Sequence, residues 1–293
     1  KQHKDWEDVL KNDDYFIPHY IHADFFHNKK RAFISPSGVQ TSFLITEDKG
    51  ASFELISVKK DVESGVQKLI SNADIFFKDF ELDDIWLGGF ETNSDYNNIL
   101  IYYYVTLKNK DEKKGDSAFI DLSLISTNGG KSFNFINPTE KGFFSMSCNF
   151  LDKEIGNEVS TTDLICKQEA LGKITDENGE SYIEAVESML LKSTDSGKTL
   201  KEMSFFKDKY VSWFNIEYPY LLVYTALDKF NIYNDQELFI SNDLGESFQK
   251  AIAPIYQTNS NENSWSNTYA FTSGDILILT TSSYNPPDDV EDN

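Results

Sequence analysis

Four octets in this chain set a carboxylate or amide, a glycine and two hydroxyls in one fixed order: TEDKGASF at 46–53, STNGGKSF at 126–133, STDSGKTL at 193–200 and SNDLGESF at 241–248. An acid held beside hydroxyls could be a site repeated for its chemistry. Aligned, the octets read Ser/Thr-x-Asp/Asn-x-Gly-x-Ser/Thr-aromatic, with Leu200 in the aromatic place once. Each position has a mechanical use that needs no substrate. Asp48, Asn128, Asp195 and Asp243 can accept hydrogen bonds from backbone N–H groups of their own turn. Gly50, Gly130, Gly197 and Gly245 can adopt the positive φ of a tight turn. Ser52, Ser132, Thr199 and Ser247 can close that turn from its far side. Phe53, Phe133, Leu200 and Phe248 can open the outgoing strand and wedge against a neighbouring sheet. Asn128 caps a turn as well as an acid does but cannot act as a general base. The octet therefore reads as a structural staple.

Other reactive residues give weaker patterns. Asp83, Asp84 and Glu91 flank the aromatic IWLGGFE, and two carboxylates are all that a glycoside hydrolase requires. Acids beside a strand are expected on its solvated face. The four histidines, His3, His19, His22 and His27, crowd into the first thirty residues. Of these, His19, His22 and His27 could hold a metal or sense pH, but their spacing fits no standard ligand pattern. Scattered surface histidines are the expectation. No GxSxG occurs, so a hydrolase nucleophile elbow is not supported. Cys148 and Cys166 could be a disulfide or two reduced core thiols, and without nearby Cys or His they argue against a metal site.

The elements that must carry these residues are strands. RAFISPSGVQTSFLITEDKGASFELISV reads as strand, turn, strand, octet, strand. NNILIYYYVTL and SAFIDLSLI repeat the pattern across the charged loop KNKDEKKGD (108–116). AVESMLLK and QELFI lead into the third and fourth octets, and LKEMSFF and SFQKAI lead out. Helical periodicity is confined to the first ten residues and to DVESGVQKLIS (61–71), which a glycine interrupts. Asp48, Asn128, Asp195 and Asp243 stand 80, 67 and 48 residues apart. One four-stranded unit takes about 40–50 residues, so the pattern predicts repeated blades with additions, KITDENGESY (173–182) among them. The expectation is all-β, with about five blades of a partial propeller over residues 1–284. The closing NPPDDVEDN (285–293) reads as an acidic tail or linker.

Composition narrows the partners. The 27 basic residues face 48 acidic ones, a formal net charge of −21. Such a surface repels phosphates, so neither nucleic acid nor an anionic membrane face is expected, and a basic peptide or protein would be steered in. No stretch is long and apolar enough to span a bilayer, which fits a soluble protein or a piece of a longer one.

The octet is similar to the Asp box of several β-propeller families, including sialidases, some glycosidases and sortilin-type receptors. A sialidase grips its substrate carboxylate with three arginines, and this chain has only Arg31. The run MLLKSTDSGKTLKEMSFFKDKYV (189–211), then YPYLLVYTALDKFNIYNDQELFISNDLGESF (218–248), resembles the fungal sortilin-type receptors that sort carboxypeptidase Y to the vacuole. KRAFISPSGVQTSFLITEDKGASFELI (30–56) resembles an early blade of the same domain, and SMSCNF and TDLICKQ resemble segments holding a bonded cysteine pair. The resemblance implies about half of a ten-bladed propeller with Asp-box hairpins, a Cys148–Cys166 disulfide and no catalytic residue, metal or cofactor. It further implies a cargo-binding role in the Golgi and endosome lumen, with the membrane reached through a transmembrane segment outside this sequence. Cargo would be vacuolar hydrolases or their propeptides, carboxypeptidase Y among them. The chain departs from the family in having a single cysteine pair and no N-x-Ser/Thr sequon with x other than Pro. The alternatives are a propeller glycoside hydrolase and a cytosolic propeller scaffold with free thiols.

Overall fold

Alternating apolar residues make these segments strands, and short polar turns fold each strand back on the last. The computed structural model describes residues 21–25, 32–36, 41–72, 75–93, 97–111, 116–139, 142–151, 162–175, 181–217, 220–226, 236–251, 265–273 and 276–284. Four antiparallel meanders of four strands follow one another, and a two-stranded sheet comes last. The first blade is β1 (Ile21–Phe25), β2 (Ala32–Pro36), β3 (Ser42–Thr46) and β4 (Glu54–Ser57). The second is β5 (Phe80–Thr92), β6 (Ile99–Asn109), β7 (Ser117–Ser126) and β8 (Asn134–Phe135). The third is β9 (Phe143–Phe150), β10 (Leu164–Thr175), β11 (Ser181–Ser193) and β12 (Lys201–Glu202). The fourth is β13 (Tyr210–Glu217), β14 (Tyr220–Ala226), β15 (Gln236–Ser241) and β16 (Gln249–Lys250). The final hairpin pairs β17 (Trp265–Ser273) with β18 (Ile276–Tyr284).

Every blade carries its octet between the third and fourth strands. The extra residues between the first two octets form α1 (Lys59–Asn72) and a 3-10 turn at Ile75–Asp79. Val62, Val66, Leu69 and Ile70 line one stripe of α1 and are buried, as a helix lying on sheets requires. The glycine expected to interrupt this helix does not. Gly65 lies inside it, where a Cβ would stand 3.1 Å from Leu122 and 3.2 Å from Phe135, so its small size lets α1 press closely on the second blade. The other proposed helix, residues 1–10, lies outside the described residues. Of KITDENGESY, Lys173, Ile174 and Thr175 end β10, and Ser181 and Tyr182 begin β11. No described helix is long and apolar enough to cross a membrane.

Successive blades pack face to face, with one apolar cluster per interface. Ile101, Tyr103, Val105 and Leu107 of β6 meet Phe43 and Ile45 of β3 and the stripe of α1. The opposite face of that blade puts Leu100 and Ile125 against Met146, Cys148, Leu164 and Cys166 of the third. Ile165 and Leu190 of the third blade meet Val211, Phe214, Val223 and Phe239 of the fourth.

Candidate functional site

The hydrogen bonds of the octets close on themselves. Asp195 Oδ1 accepts from Thr199 N at 2.8 Å, and its Oδ2 accepts from Thr199 Oγ1 at 2.7 Å. Asp48 holds Ser52, and Asp243 holds Ser247, in the same way. Asn128 takes Ser132 N at 3.1 Å and, lacking a second oxygen, donates its amide to Ser132 Oγ at 2.8 Å. Two further features were not read from the sequence. The first hydroxyl of each octet, on Thr46, Ser126, Ser193 or Ser241, accepts the glycine N–H at 2.7–2.8 Å while donating to the acid or amide. The residue before the glycine also has positive φ: Lys49 at 64°, Gly129 at 72°, Ser196 at 58° and Leu244 at 57°. These bonds hold the carboxyls of Asp48, Asp195 and Asp243 below the usual range, the last at about 2. In Asp243 the Ser247 hydroxyl contributes most.

The aromatic position of each octet packs on the preceding interface. Phe133 is buried in the cluster between the first and second blades, Leu200 packs between the second and third, and Phe248 between the third and fourth. Phe248 also lies 5.2 Å from Phe205 and 4.7 Å from Phe206, ring centre to ring centre. Phe53, in the first blade, is 39% exposed.

Asp83, Asp84 and Glu91 do not converge. Eight residues of one strand separate Asp83 from Glu91, roughly 25 Å, well beyond the spacing of a hydrolase carboxylate pair. Asp83 pairs with Lys108 at 3.0 Å in solvent. Asp84 accepts a hydrogen bond from Ile85 N at 2.8 Å. Glu91 departs from the solvated face expected of it. It accepts hydrogen bonds from Asn149 Nδ2 at 2.5 Å and from Phe150 N at 3.2 Å, so it ties β5 to the outer edge of β9. Burial pushes its carboxyl up, against the pull of those two donors. Cys148 and Cys166 face each other across β9 and β10, both buried, and are joined as a disulfide. His22 lies in β1, and His3, His19, His27 and Arg31 lie outside the described residues. Among the described residues no three His, Cys, Asp or Glu side chains gather as a metal site would require.

A cleft that sequence reading missed draws on three blades at once. Its volume is about 280 Å³, and its walls include Tyr102, Tyr104 and Asp121 of the second blade, Asn149 and Lys167 of the third and Trp213 of the fourth. Trp213 and Tyr104 are each about half exposed, at 50% and 51%. Trp213 rests on its strand neighbour Tyr224 with ring centres 5.5 Å apart, and Tyr104 meets Tyr102 edge-on at 6.5 Å. The Asp121 carboxylate has no hydrogen-bond donor among the described residues. Burial pushes it up to about 6, helped by Glu169 and opposed by Lys167. Lys167 is already committed to Glu169 at 2.8 Å and to Ser212 O at 3.1 Å. A larger opening of about 470 Å³ lies between the third and fourth octets, where Lys192 is held by Glu246 at 2.6 Å and Leu244 O at 3.1 Å. The only sequence signal for the smaller cleft was the triple tyrosine 102–104. On a strand, consecutive rings must face opposite ways, so Tyr102 and Tyr104 had to lie off the face that Tyr103 buries.

No family model matches the chain. It is 29% identical over 267 residues to the vacuolar protein sorting/targeting protein PEP1 of Saccharomyces cerevisiae strain RM11-1a, covering 85% of this chain and 16% of that protein. Vacuolar protein sorting/targeting protein 10 of Zygosaccharomyces rouxii is 31% identical over 142 residues, covering 46% of this chain and 9% of that protein. An uncharacterized membrane glycoprotein of Saccharomyces cerevisiae, YNR066C, is 25% identical over 260 residues, covering 86% of this chain and 52% of its own length. Among solved structures, exo-β-1,3-galactanase of Phanerochaete chrysosporium aligns over 80% of this chain and 50% of its own at 8% identity, with a TM-score of 0.27 that carries no argument.

Proposed function

We propose, from the likeness of most of the chain to vacuolar protein sorting/targeting proteins, that it forms part of a cargo-binding domain of a sortilin-type sorting receptor. The observation that carries this reading is the likeness across 85% of the chain to a protein named for vacuolar sorting. The same chain spans 16% of that relative, so the remaining parts of a receptor would lie in sequence outside it. On this reading residues 1–284 are a partial propeller of about five blades, and 285–293 an acidic tail or linker. The Asp boxes are structural staples, and the molecule binds rather than catalyses. It works in the lumen of the Golgi and endosome, as part of a protein anchored by a single transmembrane segment. Its cargo is a soluble vacuolar hydrolase or its propeptide, carboxypeptidase Y being one candidate.

Two features support the reading. The three-blade cleft offers aromatic walls and an acid of unusually high pKa, a fit for a peptide side chain. The charge of −21 steers basic partners toward the surface. The test is calorimetric titration with hydrolase propeptides, that of carboxypeptidase Y included, at pH 7.2 and at mildly acidic pH. Binding at neutral pH that weakens in acid is expected. Equal affinity at both, or none at either, overturns the proposal.

A further inference from the structure

The cleft walled by Tyr102, Tyr104, Asp121, Lys167 and Trp213 carries more charge information than its size suggests. Its one cation among the described residues, Lys167, is paired with Glu169 at 2.8 Å and turned onto Ser212 O at 3.1 Å. What remains short of positive charge is the carboxylate of Asp121, which Glu169 repels and Lys167 only partly offsets. It is partly buried, and no N–H or O–H among the described residues serves it. An anionic ligand would meet that carboxylate and find no free cation. A purely apolar ligand would bury it further.

Two half-exposed rings flank the acid, each braced by a second ring: Trp213 against Tyr224 and Tyr104 against Tyr102. Large apolar rings held open beside an unpaired carboxylate form the setting in which a planar cation stacks and pairs together. Lysine can satisfy the charge, but only the guanidinium presents both a flat stacking face and a fork of N–H donors to one carboxylate. We propose that this cleft receives an arginine side chain from an extended cargo segment, with Asp121 as its counter-ion and the rings of Tyr104 and Trp213 as its walls. The proposal deepens the cargo-binding reading and rests on it for the source of the arginine.

The groups facing Asp121 are Glu169 and Lys167 from β10 and the tyrosines of β6, with Glu91 of β5 acting on Tyr102. None supplies the missing donor. A guanidinium would, and the carboxylate must be ionised to hold it, so occupancy should fall as pH drops below about 6.

The probes are the peptide Ac-GSGRGSG-amide and its citrulline counterpart, which keeps the shape and loses the charge. Each is titrated into the full chain at about 150 mM salt, to screen the general attraction of an acidic surface. The arginine peptide is expected to bind at least tenfold more tightly. Asp121→Asn should abolish that preference with the circular dichroism spectrum unchanged. Trp213→Ala, at a half-exposed site, should weaken the arginine peptide severalfold and the citrulline peptide less. Equal binding of the two peptides, no binding of either at millimolar concentration, or a preference that survives Asp121→Asn overturns the assignment. A cargo propeptide run in parallel separates the two readings. If it binds wild type and Asp121→Asn alike, cargo binding stands and the arginine cleft falls. If no propeptide binds while the arginine preference follows Asp121, the cleft stands and the cargo reading falls.

Discussion

Within each octet, two consecutive residues take left-handed backbone, and only the second is always glycine. That predicts opposite signs at neighbouring positions. Gly50→Ala, at φ 84°, should destabilise by about 1–2 kcal/mol, the cost of a side chain in that region. Lys49→Gly, at φ 64°, should be neutral or gain up to about 1 kcal/mol, since the strain it relieves exceeds glycine's added entropy only slightly. Thermal or urea unfolding of the two variants checks both. The acid, the glycine and the second hydroxyl were legible in the sequence because each has a local role that its residue type announces. The left-handed fourth position was not, because Lys, Gly, Ser and Leu occupy it in turn and share no chemistry. A depressed pKa stabilises above the unfolded value and is lost as pH falls through the folded one, so for Asp243 the loss falls between about 4 and about 2. The staples therefore hold in any mildly acidic compartment.

Between elements, side chains of one blade serve the open edge of the next. Glu91 accepts from Phe150 N, Ser123 Oγ from Cys148 N at 3.2 Å, and Ser188 Oγ from Val211 N at 2.6 Å. These capped N–H groups belong to β9 and β13, edge strands that would otherwise offer themselves for pairing. Removing the acceptor strands a buried donor, so Glu91→Ala should cost about 1–3 kcal/mol. Glu91→Gln keeps an acceptor oxygen and removes the desolvated charge. Because the folded-state pKa of Glu91 is raised, its contribution is present at low pH and lost as pH rises through that raised value. Glu91→Gln should thus match or exceed wild type at neutral pH, and thermal melts across pH check it. The sequence could not reveal this role, since an acid eight residues from another on a polar-looking strand reads as solvated until β9 is laid beside it. The strands themselves were legible from period-two alternation. The fourth strand of each later blade, only two residues long, left no such signature.

Taken as a whole molecule, the carboxylates divide the pH scale. Those of the staples titrate far below physiological pH, whereas Asp121 titrates near 6. Its raised pKa stabilises the fold below the unfolded value, and that stabilisation is lost as pH rises through about 6. Asp121→Asn should therefore stabilise the chain at pH 7.5 by on the order of 2 kcal/mol and by little at pH 4.5, which unfolding curves at the two pH values would register. The disulfide predicts that alkylation without reductant, followed by mass spectrometry, finds neither Cys148 nor Cys166 labelled. The polarity of the octets bears on how such a chain is made. Each octet sits late in its own blade, and Phe133, Leu200 and Phe248 each lodge in the interface with the blade before. During synthesis, the lock of each of these blades and the surface that it seals against are both already out of the ribosome when the fourth strand emerges. Assembly can advance in the direction of translation, with no octet waiting for chain not yet made.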